Sequence, residues 1–333
     1  MENKPRIVIY GAGQYGQYIS RFAIESGWSI VAAYNRAGDK VGKDLGELAG
    51  IEKLGVVVQN CDTADYSNLE ADIGVVTATN SLHMNADAHQ RMLGAGLNVI
   101  CHGAESYYPF GCNRELALEL DALAKKNNVT FTGGGIWDMS RIWAGILVAG
   151  PCTSIESLFH SSITCAEAQT GHKEQLKMLG IGYSVQEFME QGLDKSPFAI
   201  MYSSLLEHVL VALGYRIKNS TQYVEPVVFE QPVKLKKFDV RVPAGDCVGI
   251  RFVSETETEE GVTARYEGDV RFLREDETEH MFWEVDGMPT TRLRTERDNS
   301  DHATAACLFN RIPDVVAQII PLPLSQVNLQ SFS

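Results

Sequence analysis

Six residues constrain this chain more than any others: Gly11-Ala12-Gly13-Gln14-Tyr15-Gly16. They follow directly on a short apolar run, Ile7-Val8-Ile9-Tyr10, and directly precede a stretch, 14–26, in which Ile19, Phe22 and Ala23 recur at helical spacing until Gly27 ends it. In a strand–turn–helix setting each glycine has its own use. The first permits the tight turn, the second lets the backbone approach a pyrophosphate, and the third lets helix and strand pack closely. The helix N-terminus adds unpaired N–H donors and a partial positive charge. Six such residues alone also describe a glycine-rich turn. The flanking strand and helix point instead to dinucleotide binding through Gly11, Gly13, Gln14, Tyr15 and Gly16.

The next segments repeat the theme. Strand-like runs at 29–34, 72–79, 98–101 and 129–132 alternate with helical stretches, one ending near Leu93 and one over 113–126. That alternation predicts a parallel sheet with helices on both faces, the Rossmann arrangement. Beyond Gly133-Gly134-Gly135 a helix over 139–148 leads into β-rich segments at 154–164, 233–242, 248–253, 262–273 and 280–285. Strands following strands predict a largely antiparallel sheet. A last helix over 301–319 is apolar enough to pack back on the first domain. The expected fold class is α/β. A Rossmann domain over 1–137 precedes an α+β substrate and oligomerisation domain over 138–300, and residues 301–333 return to the first domain.

Composition removes several classes of function. The 333 residues carry 29 Lys+Arg against 43 Asp+Glu, a net charge of −14, which disfavours nucleic acid and anionic membranes as partners. No apolar stretch approaches the roughly 20 residues of a membrane span. The seven cysteines are odd in number and widely spaced, without a Cys-x-x-Cys pair, as expected of reduced thiols in a cytoplasmic protein. The eight histidines show no His-x-x-x-His or His-x-His spacing, so no metal site is expected. His102 and His160 are the two considered as pocket residues.

The end of the second strand bears on the choice of dinucleotide. An acid there would hold the ribose 2′-hydroxyl of NAD(H). The chain reads Tyr34-Asn35-Arg36, with Lys40 soon after. Neutral Asn35 removes repulsion against a 2′-phosphate and Arg36 can pair with it, so NADP(H) is favoured over NAD(H).

Several segments then resemble one family. The glycine loop, Lys40-Val41-Gly42-Lys43-Asp44-Leu45-Gly46-Glu47-Leu48-Ala49-Gly50, Glu105-Ser106-Tyr107-Tyr108-Pro109 and Asn310-Arg311-Ile312-Pro313-Asp314-Val315 are similar to the diaminopentanoate dehydrogenase and native amine dehydrogenase group. The resemblance implies a dihydrodipicolinate-reductase-like fold, a homodimer, and a nicotinamide-dependent conversion of a primary amine to a carbonyl compound and ammonia. One segment departs from it. Where many amine dehydrogenases carry Pro-Gly, this chain has Ile136-Trp137-Asp138-Met139-Ser140-Arg141, which looks more like the diaminohexanoate dehydrogenase branch.

Deamination needs a base that takes a proton from the ammonium and later from water. On its residues alone Glu105 reads as an acid in a surface loop. With the resemblance it becomes the acid/base, since it follows the fifth strand at the edge where open α/β sheets bind ligands. Tyr107, Tyr108 and Trp137 are expected to wall the pocket. Asp138 suits the second ammonium of a diamino acid; Arg141, at i+3, suits a substrate carboxylate or Asp138 itself. His160 joins them as a candidate substrate contact. Thr79, Asn80 and Ser81 are placed for the nicotinamide ribose, and Asn310 for the carboxamide if the last helix folds back. The rival readings are a C=N or carbonyl reductase of the dihydrodipicolinate-reductase type and a non-catalytic NADPH-binding sensor.

Overall fold

The computed structural model of the protein describes residues 4–170, 173–196 and 199–317. This part of the chain divides into two compact units, one formed by the residues up to Met139 and from Asn299 on, the other by Ser140–Asp298.

The first unit runs β1 (Arg6–Tyr10), α1 (Gln14–Glu25), β2 (Ser29–Asn35), α2 (Leu45–Ala49), β3 (Val58–Asn60), β4 (Ile73–Val76), α3 (Ala86–Gly94), β5 (Asn98–Cys101), α4 (Pro109–Cys112), α5 (Arg114–Asn127) and β6 (Phe131–Gly133), and closes with α10 (Ser300–Val316). Its six strands form a parallel sheet in the order β3-β2-β1-β4-β5-β6. Alternate side chains of a strand face opposite sides, and β1 shows the result. Ile7 and Ile9 pack with Ile19 and Ala23 of α1 and with Leu308 and Ile312 of α10. Val8 and Tyr10 pack with Met92 of α3 and Leu120 of α5 on the other side. Helix ends are set locally: Asn113 accepts the Leu116 N–H at the start of α5, and Asn128, at φ 52°, closes its end in the left-handed region.

The second unit opens with a π-turn over Asp138–Trp143 at the junction, then α6 (Ala144–Ala149), β7 (Ser154–Cys165), α7 (Ala166–Gln169), α8 (Val185–Glu190), α9 (Ile200–Ala212), β8 (Ile217–Val228), β9 (Val233–Leu235), β10 (Val240–Val242), β11 (Cys247–Thr258), β12 (Thr263–Arg271), β13 (His280–Met288) and β14 (Thr291–Glu296). Its main sheet is ordered β14-β13-β7-β12-β11-β8, antiparallel except where β7 meets β12. One face is covered by α9, whose Tyr202 stacks on Tyr266 of β12 at 4.6 Å, and by α6, where Gly145 leaves room for Trp283 of β13. No described helix is long and apolar enough to cross a membrane.

Candidate active site

Contacts that a larger residue would break fix the glycine loop. Gly11 turns at φ 105°, and a β-carbon there would stand 2.9 Å from the Thr77 carbonyl carbon. At Gly16 a β-carbon would lie 2.0 Å from the Gly11 carbonyl oxygen, so α1 lies against β1 because nothing projects between them. At Gly13 nothing comes within 4 Å. Gly13 is also the N-cap of α1, with no side-chain cap and no acid in the first turn. Free N–H groups beside open space fit a pyrophosphate.

Side chains from three other segments brace this loop. The Thr77 hydroxyl donates to the Gly11 carbonyl at 2.8 Å, and Asn35 Oδ1 accepts the Ala12 N–H at 3.1 Å. Asn35 therefore shapes the loop in addition to being uncharged. Gln14 Nε2 and the Tyr15 hydroxyl both donate to the Asp301 carboxylate, at 2.8 and 3.0 Å. These side chains are committed to α10, which leaves backbone N–H groups as what Gln14 and Tyr15 offer a ligand. Arg36 is exposed, and its Nη2 donates to the Met84 carbonyl in the loop after β4 at 3.0 Å.

At the same carboxyl edge the loops after β4 and β5 are tied together. The Asn80 carbonyl accepts the Glu105 N–H at 3.2 Å, Asn80 Oδ1 accepts the Ala104 N–H at 3.4 Å, and Glu105 Oε2 accepts the Leu82 N–H at 2.7 Å. Thr79 and Ser81 shape the first loop: the Ser81 N–H reaches Thr79 Oγ1 at 3.3 Å, and Thr79 Oγ1 meets Asn85 Oδ1 at 3.1 Å. Glu105 is half-buried in a 3₁₀ turn, Ala104–Ser106, with one carboxylate oxygen held by a backbone donor. Tyr107 comes next, its ring 6.3 Å from that of Trp137 beyond β6, and Tyr108 caps α4, partly exposed. Glu105, Tyr107 and Trp137 thus belong to adjoining strand ends, β5 and β6.

Three expected site residues lie elsewhere. Asn310 is exposed on the side of α10 turned from its buried residues, and the adjacent Phe309 stacks on Trp28, just before β2, at 4.2 Å. That is the amino edge of the sheet, about 13 Å along the helix from Asp301, so Asn310 is not at the nicotinamide end. His160 and Arg141 belong to the core of the second unit. His160 is 0% exposed and stacked on Trp283 at 4.2 Å. Its Nδ1 donates to the Phe282 carbonyl at 2.8 Å, which leaves Nε2 to accept from Arg141 Nη1 at 3.2 Å. Burial, then the Arg141 charge, holds its pKa well below the ordinary value. The Arg141 guanidinium, in a residue 4% exposed, also donates to the Tyr266 hydroxyl at 3.1 Å and to Ser162 Oγ at 3.2 Å. It is a packing cation, not a surface grip for a carboxylate. The Asp138 side chain lies outside the described residues.

Residue type alone gave no pointer to Thr77, Asn85 or Asp301. The buried Asn85 donates to the Thr79 carbonyl at 2.8 Å and to Cys101 Sγ at 3.5 Å, linking β4 to β5. Asp301 reads in the sequence as an ordinary acid in a first helical turn. The 40–50 segment also has a structural account. Asp44 caps α2 and its carboxylate accepts the N–H groups of Gly46, Glu47, Leu54 and Gly55.

A parallel sheet ordered 3-2-1-4-5-6, with a glycine loop where the order reverses, defines a dinucleotide-binding Rossmann fold. The chain's relatives narrow the class. Over 236 residues it is 26% identical to 2,4-diaminopentanoate dehydrogenase of Acetoanaerobium sticklandii, covering 68% of this chain and 65% of that enzyme. Over 69 residues it is 38% identical to 4-hydroxy-tetrahydrodipicolinate reductase of Archaeoglobus fulgidus, covering 20% of this chain and 24% of that one. The matches thus span slightly under two thirds and about a quarter of these relatives. A solved amine dehydrogenase from Mycobacterium smegmatis superposes with a TM-score of 0.79 at 26% identity, covering 94% of this chain and 92% of that chain. No family model matches.

Proposed function

We propose that the protein is an NAD(P)-dependent oxidoreductase that converts a primary amine or diamino acid to a carbonyl compound and ammonia, and runs the reverse reductive amination. Glu105 carries this reading. Its carboxylate is fixed by the Leu82 N–H on the same sheet edge as the phosphate loop, and its Oε1 has no hydrogen-bond partner among the described residues. A bound nicotinamide dinucleotide supplies the two-electron acceptor, so that amine, water and oxidised cofactor yield carbonyl compound, ammonia, reduced cofactor and a proton. Glu105 takes a proton from the substrate ammonium, which frees the nitrogen lone pair, releases it to solvent, and then takes one from the water that adds to the carbon. Leu82 keeps the carboxylate aimed through both transfers. Tyr107, Tyr108 and Trp137 shield the reacting carbon from bulk water.

Likeness to amine and diaminopentanoate dehydrogenases supports the reaction class. Gly13 and the uncapped start of α1 support a dinucleotide. Arg36, with Lys40 near it in sequence, supports NADP(H) as the preferred form with NAD(H) as an alternative, and Asp138 suits a distal ammonium. The protein is read as a cytoplasmic homodimer.

The test is turnover of a panel of amines and diamino acids with NADP⁺ or NAD⁺ at about pH 9–10, nearer the ammonium pKa, followed by reduced-cofactor absorbance. Turnover of an unsaturated cyclic imine but of no amine would make the protein a reductase. Tight NADPH binding with no turnover of either would make it a sensor.

A further inference from the structure

The three glycines that end and follow β6, Gly133-Gly134-Gly135, have no role in this scheme, and each meets different neighbours. A β-carbon on Gly133 would stand 2.7 Å from the backbone nitrogen of Tyr107 and 2.8 Å from its α-carbon. One on Gly135, at φ 138°, would stand 2.7 Å from the Tyr107 hydroxyl oxygen. One on Gly134 would instead meet two side-chain ends, Ile100 Cδ1 at 2.7 Å and Leu308 Cδ1 at 3.1 Å. Gly133 and Gly135 thus form the seat of Tyr107, bare of side chains beside its backbone at one end and its hydroxyl at the other. Gly134 packs on the core.

The nitrogen that Gly133 approaches is the one that closes the Glu105 turn. The Tyr107 N–H donates to the Ala104 carbonyl at 3.4 Å, one step after the Ser106 N–H donates to the Gly103 carbonyl at 2.9 Å. The turn also starts from a fixed point. The backbone N–H of His102 donates to the Val76 carbonyl at 3.0 Å, and its ring lies 4.9 Å from that of Tyr15. A β-carbon on Gly103 would lie 2.6 Å from the Thr79 carbonyl oxygen. Backbone therefore meets backbone at both ends of the turn, and neither end can yield as a flexible side chain does. Ordinary contact begins near 3.4 Å, so a methyl on Gly133 would drive Tyr107 back by roughly half an ångström or more. That shift is passed to Glu105, two residues earlier, whose carboxylate the Leu82 N–H holds at 2.7 Å. Misplacement by about an ångström can cost on the order of a hundredfold in rate. We infer that Gly133 is a positioning residue: with Gly135 it seats Tyr107 so that the 3₁₀ turn presents the Glu105 carboxylate where it works. This rests on the reading of Glu105 as the acid/base.

The experiment compares wild type, Gly133→Ala, Gly134→Ala, Glu105→Gln and the Gly133→Ala, Glu105→Gln double variant by amine turnover and NADPH fluorescence titration, with thermal melting to show that each is folded. Gly134→Ala is the control, since it adds the same methyl one residue along, against side-chain ends that can turn aside. Expected for Gly133→Ala is a kcat lowered about ten- to a hundredfold, with the KM for the amine and the Kd for NADPH within about twofold of wild type. Gly134→Ala should keep kcat within about twofold. Added to Glu105→Gln, Gly133→Ala should have almost no further effect on the residual turnover, because it misplaces a group already removed. The inference falls if Gly133→Ala keeps the wild-type kcat, or if Gly134→Ala slows turnover as much. It falls also if Gly133→Ala slows Glu105→Gln by the factor seen in wild type. Should Gly133→Ala not fold, Tyr107→Leu empties the seat from the other side. It too must lower kcat in wild type and spare Glu105→Gln, and equal losses in both sink the inference. Near-wild-type deamination by Glu105→Gln alone would instead overturn the reading of Glu105, and this inference with it.

Discussion

The loops around Glu105 and the cluster around Arg141 hold similar residues, and they differ in how deeply those residues are buried. In the second unit Arg141, His160, Ser162 and Tyr266 are all at most 4% exposed and bond to one another, with the Ser162 and Tyr266 oxygens 2.8 Å apart. In the first unit Glu105 spends one carboxylate oxygen on Leu82 and remains half-buried. A histidine or arginine beside a tyrosine suggests a site in either place. Burial within a mutually bonded cluster separates the polar core from the half-exposed site.

That contrast can be broken most directly at Glu105. Glu105→Gln retains an oxygen for the Leu82 N–H and loses the ionisable group, so turnover should fall roughly 10²–10⁴-fold with folding intact. Near-wild-type deamination would move the acid/base elsewhere, with Asp138→Asn as the next variant to assay. The opposite pattern is expected across the divide. Arg141→Leu removes three hydrogen bonds of a buried cation and should cost about 2–4 kcal/mol in urea unfolding, while the KM of protein that still folds stays near wild type. Unchanged stability with a raised substrate KM would return Arg141 to the active site.

Acid should sharpen the comparison. His89 of α3 is 0% exposed, neither ring nitrogen has a hydrogen-bond partner among the described residues, and burial pushes its pKa down to about 3. A depressed histidine pKa means that below the unfolded value, about 6.5, the unfolded chain binds the proton that the folded chain refuses. Stability is therefore full above pH 7 and declines as pH falls from about 6.5 toward 3. At pH 5 His89 alone should account for roughly 2 kcal/mol. His89→Leu should flatten the curve of melting temperature against pH over that window; an unaltered slope would assign the acid sensitivity to other groups. The smallest effect concerns cofactor choice. Arg36→Ala should raise the KM for NADP⁺ about tenfold, the worth of one charge-assisted contact, and leave NAD⁺ nearly unchanged. Equal losses for both would assign Arg36 to the loop after β4, where it already holds the Met84 carbonyl.

The legible parts of the chain were those in which local pattern and tertiary role coincide. The glycine loop, the buried parallel strands and the long amphipathic α5 all carry their signatures in a few consecutive residues. Four elements carry none. α9 is buried nearly all round, so no helical period marks it, and β3 is three residues long. β8 and β14 are the edge strands of their sheet, where Lys218, Pro226, Arg292 and Arg294 interrupt any alternation. The candidate site divides the same way. Glu105 stands out only when its place after a strand is joined to the family resemblance; its residues alone read as an acid in a surface loop. Asp301 and Asn85 act across 286 and 16 residues of sequence, to Tyr15 and Cys101, and spacing cannot reveal that. Asn310 failed because folding α10 back onto the sheet does not say which end of the helix arrives at the ligand edge.

That return of α10 also sets an order of events during synthesis. The phosphate loop is made early, yet the carboxylate that holds Gln14 and Tyr15 follows Gln14 by 287 residues, and the leucine and isoleucine that help to cover Ile7 and Ile9 come later still. At roughly 5–20 residues per second, the loop waits on the order of fifteen seconds to a minute for Asp301 to be joined. The whole of Ser140–Asp298 is translated in that interval. A nascent chain stopped before residue 299 would keep all six strands of the first sheet and leave uncovered the part of one face that Leu308 and Ile312 pack on. The nucleotide site is begun by Gly11–Gly16 and braced only once Asp301 has been added.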